Sequence, residues 1–86
     1  MKLKKNKTVK LNGLGKEELR KHLEEMFPPT KPLISRHDAT LNSIVAWGTL
    51  ANKDSEKIGI AKRIIIAGKT FYERNSTIDW LVDRAE

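Results

Sequence analysis

The chain has 86 residues, 38% hydrophobic and 33% charged, with a net charge of +6 and no cysteine. A chain this short closes one core, which excludes a multidomain architecture, and the absent thiols exclude a disulfide framework, a thiolate nucleophile and cysteine metal ligands. No apolar run reaches membrane-spanning length and the lysine-rich start is not followed by the apolar stretch of a secretion signal, so a cytoplasmic protein with no membrane partner is expected.

The sequence "MKLKKNKTVKLNGLG" carries Lys2, Lys4, Lys5, Lys7 and Lys10 with no acid, and its apolar residues Leu3, Val9 and Leu11 are too sparse for a strand. It reads as a basic flexible arm over 1–15, ahead of a single domain over 16–86. In "KEELRKHLEEMF" the residues Leu19, Leu23, Met26 and Phe27 fall at i, i+4, i+7 and i+8, one apolar stripe on a first helix with acids in its first turn. Pro28, Pro29 and Pro32 then end that helix near Phe27 and stiffen the linker.

Ser35 and Asp38 form a variant capping box, and Leu41, Ile44, Val45 and Gly48 follow at helical spacing, which predicts a second helix over 36–51. "NKDSEKIG" is charged and reads as a surface loop. The β-branched run that follows ends at Gly68. With Gly68-Lys69 as the centre of a type II′ turn, Ile66 faces Phe71 and Ile65 faces Tyr72 in an antiparallel hairpin. That register puts Ile64, Ile66 and Phe71 on the face to be buried, and leaves Arg63, Ile65, Tyr72 and Arg74 as a basic and aromatic surface. A third helix is expected from Asn75 or Ser76, with Ser76 and Asp79 as its capping box and Ile78, Leu81, Val82 and Ala85 as its stripe.

The second basic patch lies in this hairpin, where Lys62, Arg63, Lys69 and Arg74 stand against Glu73. Clustered cations suit a polyanion, because each phosphate neutralised releases condensed counterions. The order arm, helix, helix, basic hairpin, helix describes a small α+β winged helix-turn-helix in which the helices pack with a two-stranded antiparallel wing.

Two stretches carry a family resemblance. "TLNSIVAWGTL" has a Ser or Thr start, a β-branched residue at Ile44 and a tryptophan at Trp47, and "GKTFYERNSTIDWL" has a glycine at the hairpin tip, then Phe71, Ile78 and Leu81. Residues 38–82 in this way resemble the excisionase-like and MerR-like winged-helix DNA-binding proteins of phages and mobile elements. The resemblance implies double-stranded DNA as partner, with the second helix in the major groove and the wing on the backbone or minor groove. Carried over, Arg36, Thr40, Asn42, Ser43 and Ala46 face the groove, and Lys62, Arg63, Lys69 and Arg74 take phosphates. The wing and arm then supply most of the affinity, the second helix adds limited base preference, and so small a protein acts as a dimer or cooperative oligomer on DNA.

Trp47 has Ile44 and Ala51 at helical spacing and is expected in the core, while Trp80 lies about 200° from Ile78 and either wraps the core edge or is an exposed anchor. The competing reading is a protein-interaction module that binds an acidic partner, such as a recombinase, polymerase subunit or host factor, through the wing and Trp80. Structured RNA shares the charge argument. Catalysis has little support, since His22 and His37 make no metal spacing, neighbours in sequence such as Ser35, His37 and Asp38 do not give triad geometry, and the five glycines fit no phosphate-cradling motif. A non-enzymatic protein without metal or cofactor is expected.

Overall fold

A computed structural model describes residues 15–85, so the arm expected over 1–15 lies, apart from Gly15, outside the described residues. The fold is α+β, with four helices and a three-stranded antiparallel sheet: α1 (Gly15–Met26), β1 (Leu33–Ser35), α2 (Ala39–Asn42), α3 (Trp47–Ser55), β2 (Arg63–Ile66), β3 (Lys69–Glu73) and α4 (Arg74–Arg84). No helix among the described residues is long and apolar enough to cross a membrane.

Helix α1 ends where the prolines require it. Leu23 and Phe27 are buried and Leu19 packs against the core edge, whereas Met26 is exposed. The free carbonyls at its C-terminus are capped from far along the chain, because the Arg74 guanidinium donates to the Phe27 carbonyl at 2.5 Å and to the Glu24 carbonyl at 3.2 Å. Cations are favoured at helix C-termini, where unpaired carbonyls concentrate negative charge.

The stiff linker does more than connect. Leu33–Ser35 forms a third strand, pairing antiparallel with β3 so that Ile34 meets Tyr72 and Ser35 meets Phe71. The sheet order is β1-β3-β2, which makes β3 the central strand. Nothing in the sequence signals β1, since three residues are too few for an alternating pattern.

The helix expected over 36–51 is two helices. Asp38 accepts from the Leu41 amide at 3.0 Å and starts α2, but the chain turns after Asn42 and Ala46 is extended before α3 begins. Asn42 holds the turn, its amide donating to the Arg36 carbonyl at 2.9 Å and to the Val45 carbonyl at 3.2 Å. The physical reason is geometric. Leu41 and Leu50 are both fully buried, yet nine residues at about 100° each would put them on opposite sides of one straight helix. Breaking the helix brings both onto the core. Trp47 becomes the first residue of α3 instead of a core residue, 53% exposed and tilted against His37 with ring centroids 4.9 Å apart.

Helix α3 also extends to Ser55, past the expected end at 51, and closes with paired turn bonds from Lys57 N–H to the Asp54 carbonyl and from Ile58 N–H to the Lys53 carbonyl, both 3.0 Å. This is the Schellman pattern, with Lys57 in the left-handed position (φ 64) that glycine usually takes. Helix α4 likewise starts earlier than the Asn75 or Ser76 expected. Glu73 caps it directly out of β3 by accepting from the Ser76 amide and hydroxyl, at 3.3 and 2.7 Å. Of the expected stripe, Ile78, Leu81 and Val82 are buried against Leu23, Phe27, Ile34, Leu41, Leu50, Ile60 and Tyr72, while Ala85 is half-buried just past the helix end.

Both capping carboxyls are held below the usual carboxylate range. For Asp38 partial burial pushes upward, but the Lys31 ammonium at 2.7 Å and the amides of Leu41 and Thr40 outweigh it. For Glu73 the Ser76 hydroxyl is the main cause and Lys62 adds to it. Unfolded carboxyls protonate near pH 4 (about 3.9 for Asp, 4.3 for Glu) and these folded ones only lower, so over that window the unfolded chain binds more protons. Stability is therefore expected to be full above about pH 5 and to fall as pH drops through 4. Melting curves between neutral pH and pH 3 check this, and Asp38→Asn should flatten the acid limb.

Candidate nucleic-acid interface

The hairpin turn is centred on Ala67 and Gly68, not on Gly68 and Lys69. Both central residues have positive φ, 51 and 80, as a two-residue type I′ turn requires. The register becomes Ile64 with Phe71 and Arg63 with Tyr72, offset by two residues from expectation. An offset of two preserves which residues share a face. Ala67 is ill suited to its place, because left-handed backbone costs an L-residue with a Cβ while asparagine is accommodated there. Ala67→Asn is expected to raise stability by about 1 kcal/mol, read from the urea midpoint at unchanged m-value.

The face that turns inward is the one expected outside. Tyr72 is fully buried, whereas Ile64, Ile65 and Ile66 are all exposed and Phe71 is half-buried. A buried tyrosine hydroxyl needs partners, and here they are supplied by residues from two other segments. Arg36 Nε donates to the Tyr72 hydroxyl at 2.9 Å, Tyr72 donates to Asp54 Oδ2 at 2.6 Å, and Arg36 Nη2 donates to the same oxygen at 2.6 Å. Burial, then the hydrogen bond to Asp54, pushes the Tyr72 hydroxyl above its ordinary value, so it stays protonated. Burial opposes the charge on Arg36, but its bonds to Tyr72 and Asp54 outweigh that and raise it. Gly59 passes directly over the Asp54 carboxylate, where a Cβ would collide with it. The triad thus fixes the end of α3 to the loop after β1 and to the central strand.

This geometry sorts the residues singled out from sequence. Arg36 is committed to Asp54 and Tyr72, Asn42 to the turn, and Arg74 to the end of α1. Thr40 is half-buried and Ser43 is exposed, its hydroxyl donating to the Thr40 carbonyl at 2.6 Å. Lys62, Arg63 and Lys69 remain exposed on the hairpin. Arg63 stands 3.8 Å from Asp54 and Lys62 4.0 Å from Glu73.

Beside the hairpin runs a crevice of about 650 Å³ lined by Lys57, Lys62 and Arg63, between the end of α3 and the start of β2. Lys57 is not legible as a site residue in the sequence, because "NKDSEKIG" reads as a plain surface loop. On α3, with Leu50 as the buried position, Gly48 and Asn52 lie about 200° away and Ser55 about 140° away, so they form the outer stripe. Asn52 and Ser55 are exposed and Gly48 is half-buried. The signal that could have found this stripe is the opposed pair Leu41 and Leu50. Trp80 wraps the core edge, half-buried, with its indole N–H donating to the Ile58 carbonyl at 3.0 Å and the Arg84 guanidinium over its ring at 4.6 Å. No group of three or more acids or histidines among the described residues is placed to hold a metal ion. No family model, curated protein or solved structure matches the chain.

Proposed function

We propose that the chain is a non-enzymatic double-stranded DNA-binding protein of the winged helix-turn-helix kind, with α3 as the helix that enters the major groove and the β2–β3 hairpin as the wing. Its role is that of an excisionase-like architectural factor or a transcriptional regulator. The observation that carries this reading is the crevice between helix and hairpin, where Lys57, Lys62 and Arg63 stand around Asp54, with Lys69 exposed farther along the hairpin. A helix in the groove and a wing on the backbone leave a phosphate strand running between them, and Lys57, Lys62 and Arg63 beside the crevice suit that strand. The turn between α2 and α3 and the small outer stripe of α3 support the same reading. Of that stripe, Asn52 has the chemistry to pair with adenine, while glycine and serine allow close approach. Most of the affinity therefore comes from phosphates, and occupancy of repeated sites by dimers or a cooperative oligomer follows from the short footprint.

Fluorescence anisotropy of a labelled duplex at several salt concentrations tests this. About four contacted phosphates give a log–log salt slope of roughly −3.6 at 0.9 per phosphate. Trp47, exposed at the start of α3, reports the same event by a change in emission. Absence of binding at low salt, or tighter binding to duplex RNA than to DNA, would sink the proposal.

A further inference from the structure

A second surface has the opposite character. Between α1, the turn after α2 and α4 lies a groove of about 410 Å³ whose walls are Leu19, Leu23, Ile44, Val45, Trp80 and Leu81. Ile44 is 43% exposed there. Two cations, Lys53 and Arg84, stand on the lining and no acid does. Neither cation is paired with a carboxylate among the described residues. We propose that this groove takes an amphipathic helix from another protein, docked by an apolar stripe and carrying acids along its flank.

Three features argue for that occupant over the others. The groove is walled by side chains of helices and offers no unpaired strand edge, which suits a helix laid in a groove and not an added strand. Residues 1–14 of this chain hold five lysines and no acid, so the rim cations repel that segment and attract an acidic flank. Among the described residues a second copy has no free apolar helix face to offer, since Leu23 of α1, Leu50 of α3 and Ile78, Leu81 and Val82 of α4 are already buried in its own core. The inference does not depend on DNA binding, and the groove is separate from the crevice at the hairpin.

The test is a heteronuclear NMR titration of the full chain with two short helical peptides, identical in their leucine stripe, one flanked by glutamates and the other by lysines. The glutamate peptide is expected to bind, with shifts at Leu19, Val45 and Ala85, and the lysine peptide to bind about tenfold more weakly or not at all. Ile44→Asp, at an exposed position where the fold is not at risk, should weaken the glutamate peptide about tenfold or more, as removal of one interface anchor does. Lys53→Glu should narrow the difference between the peptides. Equal binding of both peptides, or binding of neither, overturns the proposal. So do three results that name another occupant: saturation by sodium oleate alone, groove shifts that depend on protein concentration, or peptide access gained only when residues 1–14 are removed.

Discussion

Tyr72→Ala is expected to unfold the protein at ambient temperature, whereas Phe71→Ala, one residue away, leaves it folded. Tyr72 is 0% exposed on the central strand, opposite Ile34 on one side and Arg63 on the other. Truncating a buried large aromatic costs about 3–5 kcal/mol, and a domain of this size holds only about 5–10 kcal/mol in total. Here the effect is larger than the cavity alone. Asp54, with only 5% of its side chain exposed, loses the hydroxyl that donates to it at 2.6 Å, and Arg36 loses an acceptor. Leaving buried polar groups short of a partner adds roughly 1–3 kcal/mol. Tyr72→Phe isolates that second contribution, because the ring stays and only the hydroxyl goes. Phe71 is half-buried on the opposite face, so Phe71→Ala should cost roughly 1–2 kcal/mol, about half of a full burial. Urea denaturation followed by circular dichroism decides the order, and a larger destabilisation for Phe71 than for Tyr72 would mean that the hairpin is packed the other way round.

The second large effect is on binding. Replacing Lys62, Arg63 and Lys69 together with alanine is expected to lower duplex affinity about a hundredfold or more at low salt, and to reduce the salt slope by roughly 0.9 for each phosphate no longer neutralised. The fold should survive. These side chains are exposed, and their nearest carboxylates are no closer than 3.8 Å for Arg63 and 4.0 Å for Lys62, distances at which surface ion pairs contribute little. Arg36→Ala and Arg74→Ala are the contrasting controls. Any weakening of binding in those variants should follow a fall in stability, since one cation satisfies a nearly buried carboxylate and the other caps α1. Retained affinity and an unchanged slope in the triple variant would remove the hairpin from the interface.

By itself the sequence determined the parts whose partners are local. The Leu19, Leu23 and Phe27 face of α1, the proline stop, the Ile78, Leu81 and Val82 face of α4 and a two-residue turn that includes Gly68 follow from spacing and backbone chemistry within a few residues, whereas the cap expected at Ser35 falls to Asp38 and Met26 stays outside. The clustering of cations around the hairpin was equally legible, because charge is a property of the chain before it folds. Tertiary structure decided the rest. "RIII" and "KTFYE" carry bulky side chains on both faces, so alternation could not say which face is buried, and the answer lies with Arg36 and Asp54, which make Tyr72 the aromatic that can be enclosed. The apolar spacing of 41–48 suits one helix equally well, and only the need to bury Leu50 together with Leu41 forces the break that creates α3 and its outer stripe. Strand β1 exists because β3 offers it a free edge. Arg36 and Arg74 look like any other cation in the sequence, and they became structural because folding put an unpaired acceptor within reach of each, at distances of 18 and 47 residues along the chain.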